Sequence, residues 1–423
     1  MKIVRFILAI ALIALLAQGA HLRLLFVLDY ALIGVLVFSF VWTRLSLYGI
    51  TVERRGSSER SQVGHYFDEF ITLRNHFILP KLWLEVTDNS ELPGHKLTCV
   101  QSLRPLGRAE WKARTYCSMR GRYRLGPIII TAGDPFGLFR LQRCLPAHCY
   151  LTIYPTSLEI RHFEGLNGTM PGGNTISSPT HHITPNINGL RDYRPGDSLN
   201  RIHWASSARQ RRLIVKEFEF DPEADIQLFL DLNVEGHWVV DPDQRKESTV
   251  ALPASQATFR SSDSTEEYTI AAAATLTRHF LERGRSVGLV AWGQHHEQIA
   301  ADRGERQLIK LFEALAILRT QGSTDFGQLI TAELPRLKSS DTLVLVTASL
   351  EESWISVLPM LLRKNIKVAV ALIEPGTFGA KQGSLLTVGG LASMNIPTYL
   401  IKRGDNIGQA LSTELTKLAV YVR

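Results

Sequence analysis

The sequence predicts a membrane-anchored multidomain protein with two N-terminal transmembrane helices, an antiparallel β-sandwich-like domain and a three-layer α/β domain. Three observations predict this fold class. Two apolar runs open the chain, short strands with frequent turn signals follow, and apolar strands then alternate with helices. The expected parts are a transmembrane helical hairpin (1–48), a β-rich domain (51–160), a loop with an arginine-rich motif (161–224) and the α/β domain (225–423).

The composition fits packed domains in a reducing compartment. The chain has 423 residues, 45% of them hydrophobic and 21% charged, which excludes a disordered protein. Its net charge is +7, and residues 101–150 carry nine Lys or Arg against Glu110 and Asp134. This mild excess comes without an RNA-binding signature, so we expect no nucleic-acid partner. The four cysteines have no C-x-x-C spacing and are expected to be reduced cytosolic thiols.

The two apolar runs, residues 3–20 and 24–42, predict two membrane spans. As a helix the first run is about 27 Å long, close to the thickness of the hydrocarbon core. Basic residues precede the first run and follow the second: Lys2, Arg5, Arg44, Arg54 and Arg55. By the positive-inside rule, both the N-terminus and the C-terminus are therefore expected in the cytoplasm.

A cleaved signal peptide is an alternative interpretation of the first run. Ala17-x-Gly19 offers the small residues that signal peptidase requires, with cleavage after Gly19. The second run would then remain as a single anchor with the same orientation. Asp29 lies within this run, where it is either hydrated near the interface or in a polar contact with a partner.

The region from residue 51 to residue 155 contains short strands between turn signals. Within Leu82–Thr87, aliphatic residues occupy every second position, and we expect these three, Leu82, Leu84 and Val86, on the buried face of a strand. Further strands are expected at residues 122–125, 128–131 and 151–153. Such strands, with no helical period between them, indicate an antiparallel β-sandwich or small barrel. Its arginines either form a solvated strand face or are attracted to anionic membrane lipids.

From residue 225 onward, strands alternate with helices. Apolar strands are expected at Ile226–Leu232, Val287–Trp292, Leu343–Val346, Val368–Ile373 and Tyr399–Ile401. A capping box at Ser264 and Glu267 begins a helix that ends at Arg283. Further helices are indicated at residues 308–318, 353–363 and 411–418. Continuous apolar strands alternating with helices are typical of a parallel sheet covered on both faces.

The most unusual string in the chain is the arginine-rich motif, Gly189–Arg209. Arg194–Asp197 has the composition of a tight turn, and Asp197 is suited to cap a helix from Ser198 to Ala208. A strand is expected next, at Leu213–Phe220.

Six arginines lie within 22 residues of this region: Arg191, Arg194, Arg201, Arg209, Arg211 and Arg212. Two roles are open. Arg191 and Arg201 either pair with nearby carboxylates (Asp192, Asp197 or Glu217) and so join the two domains, or the group binds an anion or an acidic partner surface.

The motif and its surroundings resemble the bacterial membrane proteins of domain-of-unknown-function family fifty-eight. The resemblance includes Arg120–Pro127, Asp134–Phe139 and Tyr154-Pro155, and so extends over nearly the whole chain. It implies a bacterial inner membrane location, two spans, a β-rich segment and a C-terminal domain similar to von Willebrand factor type A. It also implies a MoxR-type AAA+ ATPase as partner and, in many cases, a transglutaminase-like membrane protein. The partner-contacting residues of the motif would be Arg191, Tyr193, Gly196, Asp197, Arg201, His203, Trp204 and Arg209.

The resemblance to A domains implies a place for a metal ion. In those domains an Asp-x-Ser-x-Ser loop, a Thr and a further Asp supply the oxygen ligands that a hard divalent cation needs. Here Asp231 and Thr324 match, but Asn233 and Glu235 replace the serines and Ala348 replaces the last Asp. Two interpretations remain open. The site is remodelled for Mg²⁺ or a similar cation, with Asp231, Asn233 and Thr324 as ligands, or it is a vestigial site kept as a docking surface.

Signals for an enzyme are weak. The sequence has no G-x-x-x-x-G-K-[ST] phosphate loop and no H-E-x-x-H zinc motif. His203 and Ser207 lie one helical turn apart, with Asp197 nearby, and superficially resemble a hydrolase trio. A hydrolase also needs an oxyanion site, and nothing in the sequence supplies one.

The sequence therefore predicts a non-enzymatic membrane-anchored adaptor without a resident cofactor. It would present its A-like domain to a MoxR-type ATPase for assembly or remodelling of envelope complexes, with membrane lipids as a further partner. The expected docking edge is the carboxyl end of the parallel strands, where Asp231, Asn233, Thr324 and Thr347 meet. The alternative is a metal-dependent enzyme that uses the Gly189–Arg209 element and the degenerate metal site.

Overall fold

The fold places two sheet-rich domains in series behind a pair of N-terminal helices. The structure, a computed structural model, describes residues 2–20, 22–161, 163, 187–193, 202–218, 225–240, 263–339 and 341–415.

The N-terminal helices are α1 (Lys2–Ala20) and α2 (Arg23–Leu47), which pack against each other. Among the described helices, α2 alone is long and apolar enough to cross a membrane, whereas the apolar part of α1, Ile3–Gly19, is shorter. Asp29 of α2 is buried. The structure therefore contains one helix of membrane-spanning length, and the second span remains a prediction.

Residues 50–154 form the β domain. Its strands are β1 (Ile50–Gly56), β2 (Arg60–Gln62), β3 (Tyr66–Asn75), β4 (Lys81–Asp88), β5 (Thr98–Leu103), β6 (Arg108–Tyr116), β7 (Gly121–Leu125), β8 (Ile128–Gly133), β9 (Arg140–Leu145) and β10 (Cys149–Tyr154). Two antiparallel sheets, β1-β3-β6 and β5-β4-β8-β9, enclose an apolar core that contains Ile71, Leu84 and Ile130. A third sheet, β2-β10-β7, packs around Phe67 and Leu151. A sheet-rich second domain is thus confirmed.

One detail of β4 differs from the prediction. Leu82 was expected on the buried face, but it is 59% exposed, and Lys81 is buried in its place. The pairing of β4 with β5 shifts register between Lys81 and Leu84, which is the effect of a β-bulge. The bulge moves the alternation by one residue, so the buried face begins only at Leu84.

The β domain packs against the last turns of α2 and hydrogen-bonds to its C-terminal end. Leu47 joins the core between the two antiparallel sheets, and the ring of Tyr48 meets that of Phe77 edge-on at 5.4 Å. The buried ammonium of Lys81 donates to the carbonyl of Leu45, and Arg143 Nη1 donates to that of Leu47 at 3.0 Å. The carbonyl of Leu45 also accepts the amide hydrogen of Tyr48 at 3.2 Å, so the β domain adds side-chain donors to the C-terminal cap of α2.

The described part of the arginine-rich motif is a two-stranded ribbon with a short helix. Strands β11 (Ile187–Asp192) and β12 (Ile214–Phe218) are antiparallel, and α3 (Trp204–Gln210) precedes β12. The helix predicted from Ser198 with Asp197 as its cap is wrong in its start. Ile202 pairs with Val215 as an isolated bridge, and His203 caps the helix by accepting the amide hydrogen of Ser206. Residues 194–201 lie outside the described residues.

The C-terminal domain is a six-stranded sheet between two layers of helices. Its strands are β13 (Ile226–Leu230), β14 (Val287–Trp292), β15 (His296–Asp302), β16 (Thr342–Thr347), β17 (Lys367–Ile373) and β18 (Thr398–Ile401). Its helices are α4 (Thr265–Glu282), α5 (Glu305–Ile317), α6 (Phe326–Glu333), α7 (Glu352–Arg363), α8 (Leu385–Ser393) and α9 (Ile407–Ala410). The strand order is β15-β14-β13-β16-β17-β18, and all pairs are parallel except β14–β15. Helices α4, α5 and α9 cover one face, and α6, α7 and α8 the other.

The five apolar strands expected in this domain are all present, but strand β15 and helices α6, α8 and α9 did not figure in the prediction. Of the helix expected at residues 411–418, residues 411–414 are not helical and Leu415 is, whereas residues 416–418 lie outside the described residues. Ser264 caps α4 as predicted, since its hydroxyl accepts the amide hydrogen of Glu267 at 3.3 Å.

Arg120 joins the β domain to the α/β domain. Its side chain is 0% exposed and pairs with Glu266 and Glu267 in the first turn of α4. It also donates to the carbonyls of Leu315 and Leu318 at the end of α5, at 3.2 and 2.7 Å. A cation is favourable at both places, because it neutralises the half-buried Glu266 and the buried Glu267 and caps the carbonyl end of a helix. Burial acts to raise the pKa of Glu266, but the charge of Arg120, hydrogen bonds from Thr320 and Arg120 and the charge of Arg319 together outweigh burial and hold that pKa below its usual value.

The chain after β10 strengthens this joint. The ring of Tyr154 meets that of Phe312 at 5.7 Å, and the amide of Leu158 donates to Thr275 Oγ1 at 3.2 Å. Ile160 and Phe163 are buried in the core of the α/β domain. Leu158, Ile160 and Phe163 therefore pack with the α/β domain, although the β domain was expected to extend to residue 160.

Replacement of Arg120 by alanine should destabilise the joint. The change leaves the buried Glu267 and the half-buried Glu266 with Arg319 as their remaining cation, so we expect a loss of about 3 kcal/mol in the free energy of unfolding. The measurement is urea denaturation of the full chain in detergent, followed by tryptophan fluorescence. Arg122→Ala is the matched control, because Arg122 is exposed and stacks on Tyr150, and it should cost less than about 1 kcal/mol. Equal losses in both variants would show that Arg120 does not hold the domains together.

Candidate functional site

A polar surface lies where the central parallel strands of the α/β domain end. Strand β13 leads into Asp231, and its neighbour β16 ends at Thr347. Because parallel neighbours end at the same side of a sheet, the loops that follow them are adjacent. Asn233 pairs with Gly322 as an isolated bridge, which brings the loop of Thr324 to the same side. We call this surface the carboxyl edge and define it by Asp231, Asn233, Glu235, Thr324, Asp325, Thr347 and Glu351.

Asp231 is the buried centre of the carboxyl edge. It is 2% exposed, and its Oδ2 accepts the hydroxyl hydrogen of Thr347 at 2.6 Å. Its Oδ1 accepts the amide hydrogen of Asn233 at 3.2 Å, and its carbonyl accepts from Nε2 of His237 at 2.9 Å. Burial raises the pKa of Asp231 above the usual value for an aspartate, because the charged form loses its hydration and no cationic side chain bonds to the carboxylate.

Two further carboxyl groups lie together beside Asp231. A hydrogen bond between Glu351 and Asp325 raises the pKa of Glu351, and burial and the charges of Asp325, Asp231 and Glu235 act in the same direction. Asp325 caps α6 by accepting the amide hydrogen of Gln328 at 3.3 Å, and it also accepts from the hydroxyl of Ser353 at 2.8 Å. The carboxyl edge therefore concentrates negative charge on loops at the ends of β13 and β16, and Glu351 takes up a proton more readily than an isolated glutamate.

Two of the three residues proposed as metal ligands, Asp231 and Asn233, already accept hydrogen bonds from the protein through their side-chain oxygens. Both carboxylate oxygens of Asp231 accept hydrogen bonds, and the side-chain oxygen of Asn233 accepts the amide hydrogen of Glu235 at 3.2 Å. Thr324 is half-buried in the neighbouring loop, and Ala348 is buried where the last carboxylate would stand. These residues do not fit a preformed site for a divalent cation. The arrangement fits better a sheet edge stabilised by its own hydrogen bonds.

The described residues of the arginine-rich motif belong to the ribbon of β11, β12 and α3. The amide of Tyr193 donates to the carbonyl of Leu213 at 2.9 Å, Trp204 is 67% exposed, and Arg209 is exposed. Arg212 pairs with Asp192 at 2.9 Å, and both side chains are exposed. Predictions for Gly196, Asp197, Arg201 and the side chain of Arg191 lie outside the described residues.

His203 and Ser207, the superficial hydrolase pair, have structural roles. Nδ1 of His203 accepts the amide hydrogen of Ser206 at 3.1 Å, which caps α3. The hydroxyl of Ser207 donates to the carbonyl of His203 at 3.0 Å and accepts the amide hydrogen of Ile214 at 2.9 Å. These bonds hold α3 against β12, and they leave neither side chain arranged as a nucleophile with its base.

A buried ionic cluster in the β domain was not predicted from the sequence. Nε2 of His95 lies 2.8 Å from Asp88 and 3.4 Å from Glu69, and the guanidinium of Arg54 contacts both carboxylates. In the described part of the chain, Glu69, Asp88 and His95 are the one group of His, Cys, Asp or Glu side chains with ligand atoms within 4.8 Å of one another. Because Arg54 already supplies a cation at this place, we interpret the cluster as a structural ion-pair network between the sheets. The alternation of residues along β3 and β4 could have predicted that Glu69 and Asp88 face inward. It could not have predicted that they lie opposite each other.

Sequence comparison connects the chain to a family through the same motif. The pattern of the family described as "Protein of unknown function DUF58" matches residues 189–260, which include the arginine-rich motif and Asp231. The uncharacterised protein YeaD of Bacillus subtilis (strain 168) is 22% identical over 351 residues, 78% of this chain and 77% of that protein. The chain is thus similar to this family in the motif and to YeaD over most of its length.

Solved structures resemble parts of the chain only weakly. The CARDB domain of the PF1109 protein from Pyrococcus furiosus is 16% identical, covers 25% of this chain and 86% of that domain, and has a TM-score of 0.19. The C-terminal domain of wzt is 12% identical, with coverage of 26% and 75% and a TM-score of 0.20. At such TM-scores the likeness carries no conclusion about function.

Replacement of Asp231 by asparagine should stabilise the α/β domain at neutral and alkaline pH. The pKa of Asp231 is raised in the folded state, so stability is lost as pH rises from about 3.9, the pKa of an unfolded aspartate, through the folded value. Asparagine avoids this loss and can still accept from Thr347. In EDTA the thermal midpoint should therefore rise at pH 8, by about 2–4 °C for each 1 kcal/mol recovered, and change little below pH 4.

The exposed Asp302→Asn, at the opposite edge of the sheet, is the control for loss of one negative charge. The same melts in Mg²⁺ separate the two interpretations of the edge. If Mg²⁺ stabilises the wild-type chain and the advantage of Asp231→Asn disappears, Asp231 is a metal ligand after all.

Proposed function

We propose that this protein is a non-enzymatic, membrane-anchored adaptor whose carboxyl edge docks a cytoplasmic partner. The observation that carries the proposal is the unbroken packed connection from α2 through the β domain to the α/β domain. Lys81 and Arg143 cap α2, and Arg120 joins the β domain to α4 and α5. An assembly of this kind holds a surface at a fixed place relative to a helix of membrane-spanning length.

The proposed location is the bacterial inner membrane, with two spans and both termini in the cytoplasm. Support comes from α2 and from the basic residues after it. Arg54 contributes little to this orientation, because its side chain is buried among Glu69 and Asp88. Arg44 in the last turn of α2 and the exposed Arg55 carry the argument on the cytoplasmic side.

The proposal treats the C-terminal domain as similar to the von Willebrand A type. Support comes from a mostly parallel sheet with helices on both faces, and from an aspartate directly after the central strand β13. In this chain the aspartate is buried and bonded to Thr347 rather than open to a ligand. We therefore propose that the edge retains the position of the A-domain metal site and works as a contact surface.

The proposed partner is a MoxR-type AAA+ ATPase, with a transglutaminase-like membrane protein as a further member of the complex. Both follow from the family resemblance. The charge of the edge adds a chemical requirement: Glu235, Asp325, Glu351 and Glu352 surround it, so the docking face of the ATPase should be basic. The assembly would remodel or build envelope complexes.

The metal-dependent enzyme receives less support. The side-chain oxygens of Asp231 and Asn233 accept hydrogen bonds from the protein. His203 and Ser207 of the Gly189–Arg209 element form the hydrogen bonds that hold α3. An adaptor requires only the exposed surface that the carboxyl edge offers.

Charge reversal at the edge should weaken capture of the ATPase. The chain, tagged at its C-terminus, is purified from detergent-solubilised membranes of its own host, and co-purified proteins are quantified by mass spectrometry. Glu352→Lys, in the exposed first turn of α7, should reduce the recovery of a MoxR-type ATPase at least tenfold, about 1.4 kcal/mol.

Glu305→Lys is the matched control, because Glu305 also lies exposed in the first turn of a helix, α5, but at the opposite edge of the sheet. Both variants place a lysine at a helix N-terminus, which costs the same stability in each. A difference in ATPase recovery between them is therefore due to the position of the charge on the surface. If no AAA+ protein is enriched with the wild-type chain, or if both variants bind equally, the adaptor proposal is wrong.

A further inference from the structure

A turn of the β domain lies beside α2 near the depth where that helix would leave the membrane. This inference rests on the membrane anchorage proposed above. About 20 helical residues cross the hydrocarbon core, so a span that begins at Arg23 ends near Trp42. Phe40, half a turn earlier, therefore lies at the boundary between the acyl chains and the headgroups.

The turn Asp134–Phe139 reaches Phe40 directly. The ring of Phe139 meets that of Phe40 edge-on at 5.5 Å. On the same helix, Ser39 and Thr43 are 0% exposed, and α2 packs against β8 and β9, the strands on either side of the turn. The β domain thus covers one side of α2 down to the depth of Ser39, which is within the last turn of the span.

The turn is held in one shape by its own hydrogen bonds. The carboxylate of Asp134 accepts the amide hydrogens of Phe136 at 2.9 Å and Phe139 at 2.6 Å. Its carbonyl accepts the amide hydrogen of Gly137 at 3.2 Å, and Gly137 has φ +70°, in the left-handed region that glycine adopts without strain. Because the backbone is fixed in this way, Phe136 is held outward, and it is 58% exposed.

Cationic side chains flank the turn. Arg44 lies over the ring of Phe40 at 5.6 Å, and Arg140, directly after the turn, has a side chain that is 62% exposed. A rigid apolar tip between arginines is a common arrangement for contact with a bilayer, in which the ring enters the interface and the cations meet anionic headgroups.

We propose that Asp134–Phe139 is a second membrane contact, in which Phe136 inserts into the interfacial layer of the bilayer next to α2. The occupant of this surface is a phospholipid bilayer rather than a protein, because the turn is continuous with the helix that is itself in lipid. Loop 76–80 holds α2 from another side, since Leu79 and Pro80 line the same crevice as Trp42. The depth of Phe136 in the bilayer is therefore set by the packing of the β domain on α2.

A probe attached at Phe136 tests the contact. The full chain with Cys99, Cys144 and Cys149 replaced by serine keeps only Cys117, which is 0% exposed and should not react. Three further variants, Phe136→Cys, Ile33→Cys and Leu385→Cys, are labelled with an environment-sensitive fluorophore and reconstituted into vesicles of phosphatidylcholine and phosphatidylglycerol. Lipids with spin labels at the headgroup or deep in the acyl chain serve as quenchers.

The expected result is that position 136 loses most of its fluorescence to the headgroup quencher and position 33, in the middle of the span, to the deep quencher. Position 385, which is 84% exposed on α8, should keep its fluorescence with both. If position 33 is quenched and position 136 behaves like position 385, the second contact is wrong while the anchorage stands. If neither position 33 nor position 136 is quenched, the anchorage itself is wrong.

Discussion

The packing of the β domain against the α/β domain depends on one buried guanidinium, that of Arg120. Glu266 and Glu267 begin α4, and the carbonyls of Leu315 and Leu318 end α5, so the negative groups of two helices converge on one point. Arg319, just after α5, contacts both carboxylates at 3.3 and 3.4 Å. The closer cation, Arg120, comes from the other domain, so the β domain completes the packing around the start of α4 and the end of α5.

Buried acids elsewhere in the chain are stabilised in different ways. Between the sheets of the β domain, the guanidinium of Arg54 contacts Glu69 and Asp88. Burial still raises the pKa of Glu69, whereas at Asp88 a hydrogen bond with His95 and the charge of Arg54 outweigh burial and lower the pKa. Asp231 has hydroxyl and amide donors instead of a cation, and burial pushes it toward the neutral form. The β-domain cluster contains its own cation and stabilises the fold. The protonation of Asp231, by contrast, depends on the charges that a partner brings near it. This difference is why the carboxyl edge, rather than the β-domain cluster, is the better candidate for contact.

Local patterns predicted much of the fold and little of the site. The strands of the α/β domain are apolar along their whole length because both faces are covered, so β13, β16 and β17 stand out in the sequence. Short elements such as α6 and α8 have no such pattern. The bulge at Lys81 and the pairing of Ile202 with Val215 depend on the partner strand, and a single-strand pattern cannot reveal either.

The functional geometry depends on contacts that are distant in sequence. Asp231 was identified through the resemblance to A domains, and the rule that parallel strands end at one edge predicted its meeting with Thr347. Glu267 was recognised as part of a capping box, yet its carboxylate bonds to Arg120, 147 residues away. A spacing rule describes neighbours along the chain, and it has no means of pairing two residues from separate domains.

The junction of α2 with the β domain has a mechanical consequence. Only Tyr48 and Gly49 separate the helix from β1, and both lie against the loop that contains His76 and Phe77. Such a short connection leaves no hinge, so the body cannot swivel on its anchor as a tethered domain would. If α2 spans a membrane as proposed, a force on the far end of the α/β domain is transmitted as torque to that helix. A change in bilayer thickness would then tilt the whole body, and the carboxyl edge would face a new direction.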